Sequence, residues 1–374
     1  MKTAKKDLAS RYSYSVRYVP DVQSFWRAVL DKTVLPHQVE VQPGPEAGKE
    51  ICWLKCPYCY GGSASDSGER LRPERYIQLL QEIAEGGVKK IVFAGYATDP
   101  LNYGGIDDLL QVAHDAGQVF GFHTKALRYS ERFLGLLTSP TAASLSYFSV
   151  SVDAGSNATY NRVHGIPESG AKLYDKVLKN LRRIADARAR HGSPLDVSAT
   201  YLVNGHNCSP AEILKAIEDL RTAGVDLVRF TFPQVPRGYG ELAEDDPNIL
   251  RRLSVLARFA ELKPLIQAQN RPGFQVLLMD LDAESEGMTE ARSLPCFARF
   301  VFPSIGFDGW LSHCSESAAP HFRALALGNL AERDFWDVYY DYDPAEIERA
   351  LAAAAALMCK TGCRCDRKEH IVNQ

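Results

Sequence analysis

The chain has 374 residues, of which 45% are hydrophobic and 24% charged, with a formal net charge of −3. This is an ordinary globular composition, with room for one large domain and a small one, and it offers no basic field for nucleic acid. The longest uninterrupted apolar run, Ala350 to Met358, is too short to span a bilayer, and no apolar stretch follows the basic N-terminus as a secretory signal would require. Nine cysteines in such a chain favour metal binding over disulfides, so a soluble cytoplasmic protein without nucleic-acid or membrane partners is expected.

Residues 1–36 contain one helix-like piece, Asp21 to Asp31, and read as a lid or as a cap on the bottom of a barrel. From His37 strand-like and helix-like segments alternate, the pattern of a parallel sheet with crossover helices. Strands are expected at His37–Gln42, Lys90–Ala94, Val119–His123, Tyr147–Val152, Val197–Val203 and Asp226–Phe232. The helices between them are expected at Pro73–Glu85, Ile106–Ala116, Ser130–Leu137, Ala171–Arg190 and, from a capping box at Ser209 to Glu212, to about Ala223. Six β/α units ending before residue 235 suit an α/β partial barrel, with ligands at the carboxyl ends of its strands. Residues 236–290 then bridge outwards, with a helix over Asp246–Ala268 and a strand over Phe274–Met279 that extends the barrel wall.

The first strand leads into Ile51–Gly62, ICWLKCPYCYGG, which sets Cys52, Cys56 and Cys59 within eight residues. Thiolates so close along a loop converge on one soft metal centre, and three ligands on a four-iron cluster leave one iron open for chemistry. Zinc, a disulfide or a redox pair are the other readings, zinc needing a fourth ligand such as His37 or His123. Near the C-terminus, Cys296 and Cys314 flank FARFVFPSIGFDGWLSH, read as a hairpin of two aromatic strands that brings the two thiols together. A helix capped at Asp343 then delivers Cys359, Cys363 and Cys365, so hairpin and loop together can close a full cluster. Other residues carry two readings each. His123 and Lys125 end the third strand, facing substrate or lying in a solvated loop. Arg229 interrupts an apolar strand, as the partner of an anion or as a charge on an edge. Cys208 reads as a small core residue and His313 as structural.

Cys52-x3-Cys56-x-Tyr58-Cys59 resembles the signature of the radical SAM superfamily. The resemblance implies a (β/α)6 core and a [4Fe–4S] cluster that holds S-adenosylmethionine on its open iron and cleaves it to a 5′-deoxyadenosyl radical. It assigns cofactor binding to Tyr58, to Gly95 and Asp99 after the second strand and to Ser151 on the fourth strand; the anion that Arg229 would need, read from its charge alone, is a carboxylate of S-adenosylmethionine or of substrate. The segment from Cys296 to Cys365, with Gly309-x4-Cys314, Leu327–Leu330 and Phe335-Trp336, resembles the twitch form of the SPASM domain. That implies a second [4Fe–4S] cluster on Cys296, Cys314, Cys359 and either Cys363 or Cys365. The expected organisation is an extension over 1–36, a barrel over 37–235, a bridge over 236–290 and a small α+β iron–sulfur domain over 291–374. The expected activity is oxidation of a small natural-product intermediate such as a sugar, cyclitol or nucleoside. The auxiliary cluster, on the substrate side of the barrel mouth, would accept an electron, and flavodoxin or ferredoxin would supply reductant. A maturase that crosslinks a ribosomal peptide is the alternative, and an iron–sulfur sensor a third reading.

Overall fold

A computed structural model describes residues 19, 21–56, 58–59, 68–95, 98–167, 170–231, 252–278, 297–318 and 320–352. Seven parallel strands run in order across one sheet: β1 (Val39–Val41), β2 (Lys90–Phe93), β3 (Val119–Thr124), β4 (Tyr147–Ser151), β5 (Asp196–Leu202), β6 (Leu227–Thr231) and β7 (Gln275–Leu278). The intervening helices are α2 (Pro73–Glu85), α3 (Ile106–Asp115), α4 (Glu131–Leu137), α5 (Asn157–Val163), α6 (Leu173–His191), α7 (Pro210–Thr222) and α8 (Arg252–Gln267), with α1 (Val22–Leu30) ahead of the sheet. β7 pairs in parallel with β6, so the bridging stretch does extend the wall.

Side chains alternate across each strand, and the two faces differ in kind. Val39, Val41, Ile91, Phe93, Phe120, Phe122, Phe148 and Val150 join one buried cluster with Leu79, Leu80, Leu109 and Leu181 of the helices. The opposite face carries Glu40, His123, Tyr147, Ser149, Ser151, Ser198, Thr200 and Arg229, a polar lining that no helix core would need. The apolar periodicity therefore builds the fold, and the polar positions it skips face the concave side.

The other edge of the sheet is completed from the C-terminal part of the chain. β8 (Ser304–Ile305) pairs in parallel with β1, and β9 (Trp310–Ser312) and β10 (Gly328–Asn329) follow antiparallel. The sheet thus crosses the boundary expected at residue 291. The hairpin is present, turning through Gly309 at φ 86°. Its first arm is not a continuous strand, because Ala298–Val301 forms one helical turn, α9. Packing explains the departure: Phe300 and Arg299 are buried against Phe25 of α1 and the backbone of Tyr339, contacts that an alternating strand would split between two faces.

One other expectation changes. Ser209 caps α7 through the Glu212 N–H, but the Glu212 carboxylate turns away from the cap to accept from Gly155 N at 2.6 Å and Ser156 Oγ at 3.2 Å. A tertiary contact has replaced the second half of the capping box. The N-terminal helix packs on the C-terminal segment, with Trp26 against Phe297 and the Tyr342 hydroxyl on Val29 O at 2.5 Å.

The C-terminal segment is locked to α2 by Arg75. Its guanidinium, 9% exposed, donates to Leu330 O at 2.8 Å and Arg333 O at 2.6 Å and pairs with Glu82, which accepts from Phe335 N. Gly86 leaves space for the Trp336 ring, which a Cβ there would meet at 2.1 Å. Arg75→Met should cost about 2 kcal/mol, since it leaves a half-buried carboxylate and two carbonyls without their donor. A urea midpoint followed by circular dichroism reads it; an unchanged midpoint would mean that α10 (Phe335–Tyr339) docks without this pair.

Candidate active site

The cysteine loop has little secondary structure of its own, so its position comes from what holds it. Cys59 N–H donates to Cys56 O at 2.9 Å, closing the turn between the last two thiols. Lys55 N–H donates to His164 O at 3.1 Å, and Gly165, at φ 62°, lets that backbone close in; a Cβ there would meet Lys55 O at 2.0 Å. Cys52, Cys56 and Cys59 are half-buried and in no disulfide. Burial raises the Cys52 thiol to about 11 and the Cys56 thiol to about 12. Three soft donors within eight residues suit a cationic iron centre, which would deprotonate them on binding.

Beneath the loop lies a buried polar knot. The Tyr58 hydroxyl donates to Asp153 Oδ2 at 2.9 Å and accepts from Lys125 Nζ at 3.1 Å. Lys125 Nζ in turn lies 3.0 Å from the same Asp153 oxygen, an ion pair whose side chains are 15% and 0% exposed. Asp153 holds a left-handed φ of 56° just past β4, Leu202 N–H donates to its Oδ1 at 2.7 Å, and Asn207 Nδ2 donates to its carbonyl at 2.9 Å. His164, at the end of α5, places Nδ1 3.3 Å from Cys56 Sγ and 3.2 Å from the Tyr58 hydroxyl. Burial holds that imidazole well below its usual range. Burial is the largest influence on Lys125 and acts against its charge, but the surrounding negative groups, Asp153 foremost, together outweigh it and hold the ammonium above its usual range.

The expected cofactor residues are distributed around this knot. Asp99 caps a short turn through Leu101 N at 2.9 Å and reaches across to Thr124 Oγ1 at 2.7 Å and Lys125 N at 2.6 Å. Burial raises its carboxyl above the usual range. Three of its acceptor sites are therefore taken up in tying the second and third strand ends together. Gly95 makes the preceding turn, where a Cβ would meet Thr98 O at 1.7 Å. Ser151, Thr200 and Arg229 are neighbours in one row across β4, β5 and β6, and Arg229 donates to Thr200 Oγ1 at 3.2 Å. β6 is flanked by β5 and β7, so the edge-strand reading of Arg229 falls away.

Lys125 does not lie in a solvated loop, and His123 meets the Tyr147 hydroxyl at 3.1 Å rather than the cysteines. His37 packs against Phe302 and, driven by burial, falls to about 4. The histidine beside the cysteines is His164, which nothing in the sequence singles out: α5 is seven residues long with no clear apolar stripe. Asp153 is visible in the sequence only as the residue after a serine-bearing strand. Cys208 is buried in the core, as expected.

Of the C-terminal cysteines, Cys314 alone is described; Cys296, Cys359, Cys363 and Cys365 lie outside the described residues. Cys314 is buried after β9, where its backbone N–H donates to Ser317 Oγ at 3.2 Å, and His313 beside it is driven by burial to about 3. β8 runs alongside β1 and β9 runs back, so Cys314 sits toward the amino end of β1. The cysteine loop meets the carboxyl ends of β3 and β4.

Residues 49–195 match the Radical SAM superfamily. The chain is 26% identical over 234 residues to dTDP-4-amino-4,6-dideoxy-D-glucose ammonia-lyase of Streptomyces venezuelae, covering 59% of this chain and 45% of that protein. It is 21% identical over 291 residues to the sporulation killing factor maturation protein SkfB of Bacillus subtilis, covering 77% and 62%. The chain spans about half the length of the curated relatives it matches. Streptococcus suis SuiB bound to S-adenosylmethionine superposes with a TM-score of 0.61 over 91% of this chain and 76% of that one, a likeness of fold at 16% identity. No described helix is long and apolar enough to cross a membrane. The loop that carries Cys52, Cys56 and Cys59 therefore lies within the stretch that matches the Radical SAM superfamily.

Proposed function

We propose that the protein is a radical SAM enzyme that oxidises a small polar molecule, a sugar, cyclitol or nucleoside. The observation that carries the reading is the placement of Cys52, Cys56 and Cys59 on one loop that Tyr58 ties to the carboxyl ends of β3 and β4, in a parallel sheet whose face away from the helices carries serine, threonine, histidine and arginine. When bound, a [4Fe–4S] cluster and S-adenosylmethionine would supply a 5′-deoxyadenosyl radical for hydrogen-atom abstraction. Cys52, Cys56 and Cys59 would hold the cluster, with Tyr58 fixing the loop between them. Asp99 has one acceptor site left for the cofactor's ammonium, and Arg229 with Ser151 and Thr200 suits a carboxylate or hydroxyl-rich ligand. The sugar-acting lyase among the relatives supports a small hydroxylated substrate. The peptide-maturase reading rests on SkfB, which matches more of this chain at lower identity.

Anaerobic incubation with S-adenosylmethionine, dithionite and either nucleotide sugars or short peptides separates the two. Substrate-dependent release of 5′-deoxyadenosine with sugars supports the first reading, and with peptides alone the second. The reconstituted protein should bind about eight irons, falling to about four when Cys52, Cys56 and Cys59 are replaced by alanine. A wild-type content near four would remove the auxiliary cluster. Asp99→Asn should weaken S-adenosylmethionine binding about tenfold at unchanged iron content; an unchanged Kd would leave Asp99 as the tie between strand ends alone.

The auxiliary cluster on Cys296, Cys314, Cys359 and Cys363 or Cys365 is proposed to take the second electron of the oxidation. Replacing Cys296 and Cys314 with alanine should then leave cleavage to 5′-deoxyadenosine intact and abolish oxidised product. Normal product would make the cluster structural. Loss of cleavage together with loss of native circular dichroism would show the same, because the segment would then be holding the fold.

A further inference from the structure

The reading of Cys52, Cys56 and Cys59 as cluster ligands leaves one buried cation without a use. Lys125 sits at the end of β3, under the cysteine loop, with its ammonium sealed between Asp153 and the hydroxyl of Tyr58, the residue just before Cys59. Its Nζ is 3.1 Å from the Tyr58 hydroxyl, which lies 3.2 Å from His164 Nδ1, and that nitrogen is 3.3 Å from Cys56 Sγ. Asp153 Oδ2 shares the Tyr58 hydroxyl with it, and the Asp99 carboxylate accepts from the Lys125 backbone. One ammonium and two carboxylates therefore stand beneath the cysteine loop.

Resting on that reading, we propose that Lys125 is a positioning residue that sets the reduction potential of the cluster held by Cys52, Cys56 and Cys59, with Asp153 as its counterweight. Reduction of the cluster takes one electron from a one-electron donor and adds one negative charge. A buried ammonium nearby favours that added charge and raises the potential; a buried carboxylate lowers it. Tyr58 conveys no charge of its own, but its hydroxyl keeps the ammonium and carboxylate on the inner side of the loop. The arrangement also explains why so polar a group is buried here at all. A loop anchored by apolar packing alone would hold its position equally well, whereas an ion pair places signed charge beside the sulfurs.

The test is the midpoint potential of the reconstituted protein, read by electron paramagnetic resonance during a dithionite titration. The signal followed is the one missing from the variant with alanine at Cys52, Cys56 and Cys59. Lys125→Met should change the oxidised-to-reduced ratio at the wild-type midpoint about tenfold toward oxidised, which is about 59 mV for a one-electron couple. Asp153→Asn should move it the opposite way, Tyr58→Phe should move it little, and Lys125→Arg should restore the wild-type value. Iron content and circular dichroism come first, and if Lys125→Met does not load, the sign of the Asp153→Asn shift decides. Shifts of the same sign in both variants, or none, would overturn the proposal and leave the pair as a mechanical tie. If the triple cysteine variant lost no signal, the cluster assignment itself would fail instead.

Discussion

The carboxylate of Asp153 is the constraint on which the site depends. It stands where β4 ends, in a left-handed conformation that few non-glycine residues adopt, and it is fully buried. One oxygen fixes the end of β5 through Leu202, and the other receives Tyr58 from the cysteine loop and Lys125 from the end of β3. Its own carbonyl is taken by Asn207, whose side chain also donates to Leu202 O and accepts from Asn204 N. Strand ends in a parallel sheet diverge into separate loops, so something must bind them to one another before a loop can rest on them. Here that is a single charged residue, satisfied at every acceptor, which is the condition under which a buried charge is tolerated.

The cysteine loop inherits its order from this knot. A segment with no hydrogen-bonded ladder of its own would wander if it were held only by its flanks. Tyr58 on Asp153 and Lys125, with Cys56 and the Lys55 backbone against His164 and Gly165, anchors it to the ends of β4, β3 and α5. The close pass at Gly165 restricts the sequence, since any side chain there would collide with Lys55 O. The tight turn at Gly95 makes the same demand on the other side of the site.

Much of this is legible in the sequence, and the boundary of what is legible is physical. Strands and long helices have a period, and β2 to β6 and α2, α3, α6 and α7 fall where apolar alternation and capping residues place them. Three close cysteines are likewise a local pattern. Asp153 and His164 are not: their roles come from contacts 95 and 108 residues away along the chain, and α5 is too short to print a stripe. The same limit applies to Glu212, where a good local capping partner is captured by Gly155 and Ser156, and to Ala298–Val301, where burial of Arg299 overrides an aromatic run that reads as a strand. Local rules fail where a side chain has a better partner far away.

The C-terminal segment shows how closely site and scaffold are joined. β1 is three residues long, and it leads directly into the cysteine loop. Without β8 it would be an exposed edge, its N–H groups at Gln38, Glu40 and Gln42 unmet; the backbone carbonyls of Val301, Pro303 and Ile305 accept from them. Phe307 then packs so closely over Gly44 that a Cβ there would lie 2.7 Å from it, and its carbonyl receives Leu71 N and the Tyr76 hydroxyl. α1 and α2 grip the same segment from either side through Trp26 and Arg75. A strand of three residues cannot hold the cysteine loop by its own hydrogen bonds. The segment that carries Cys314 therefore completes the sheet from which the first cysteines are presented, whatever the role of its own thiol, and cutting it away would loosen the cysteine loop from behind.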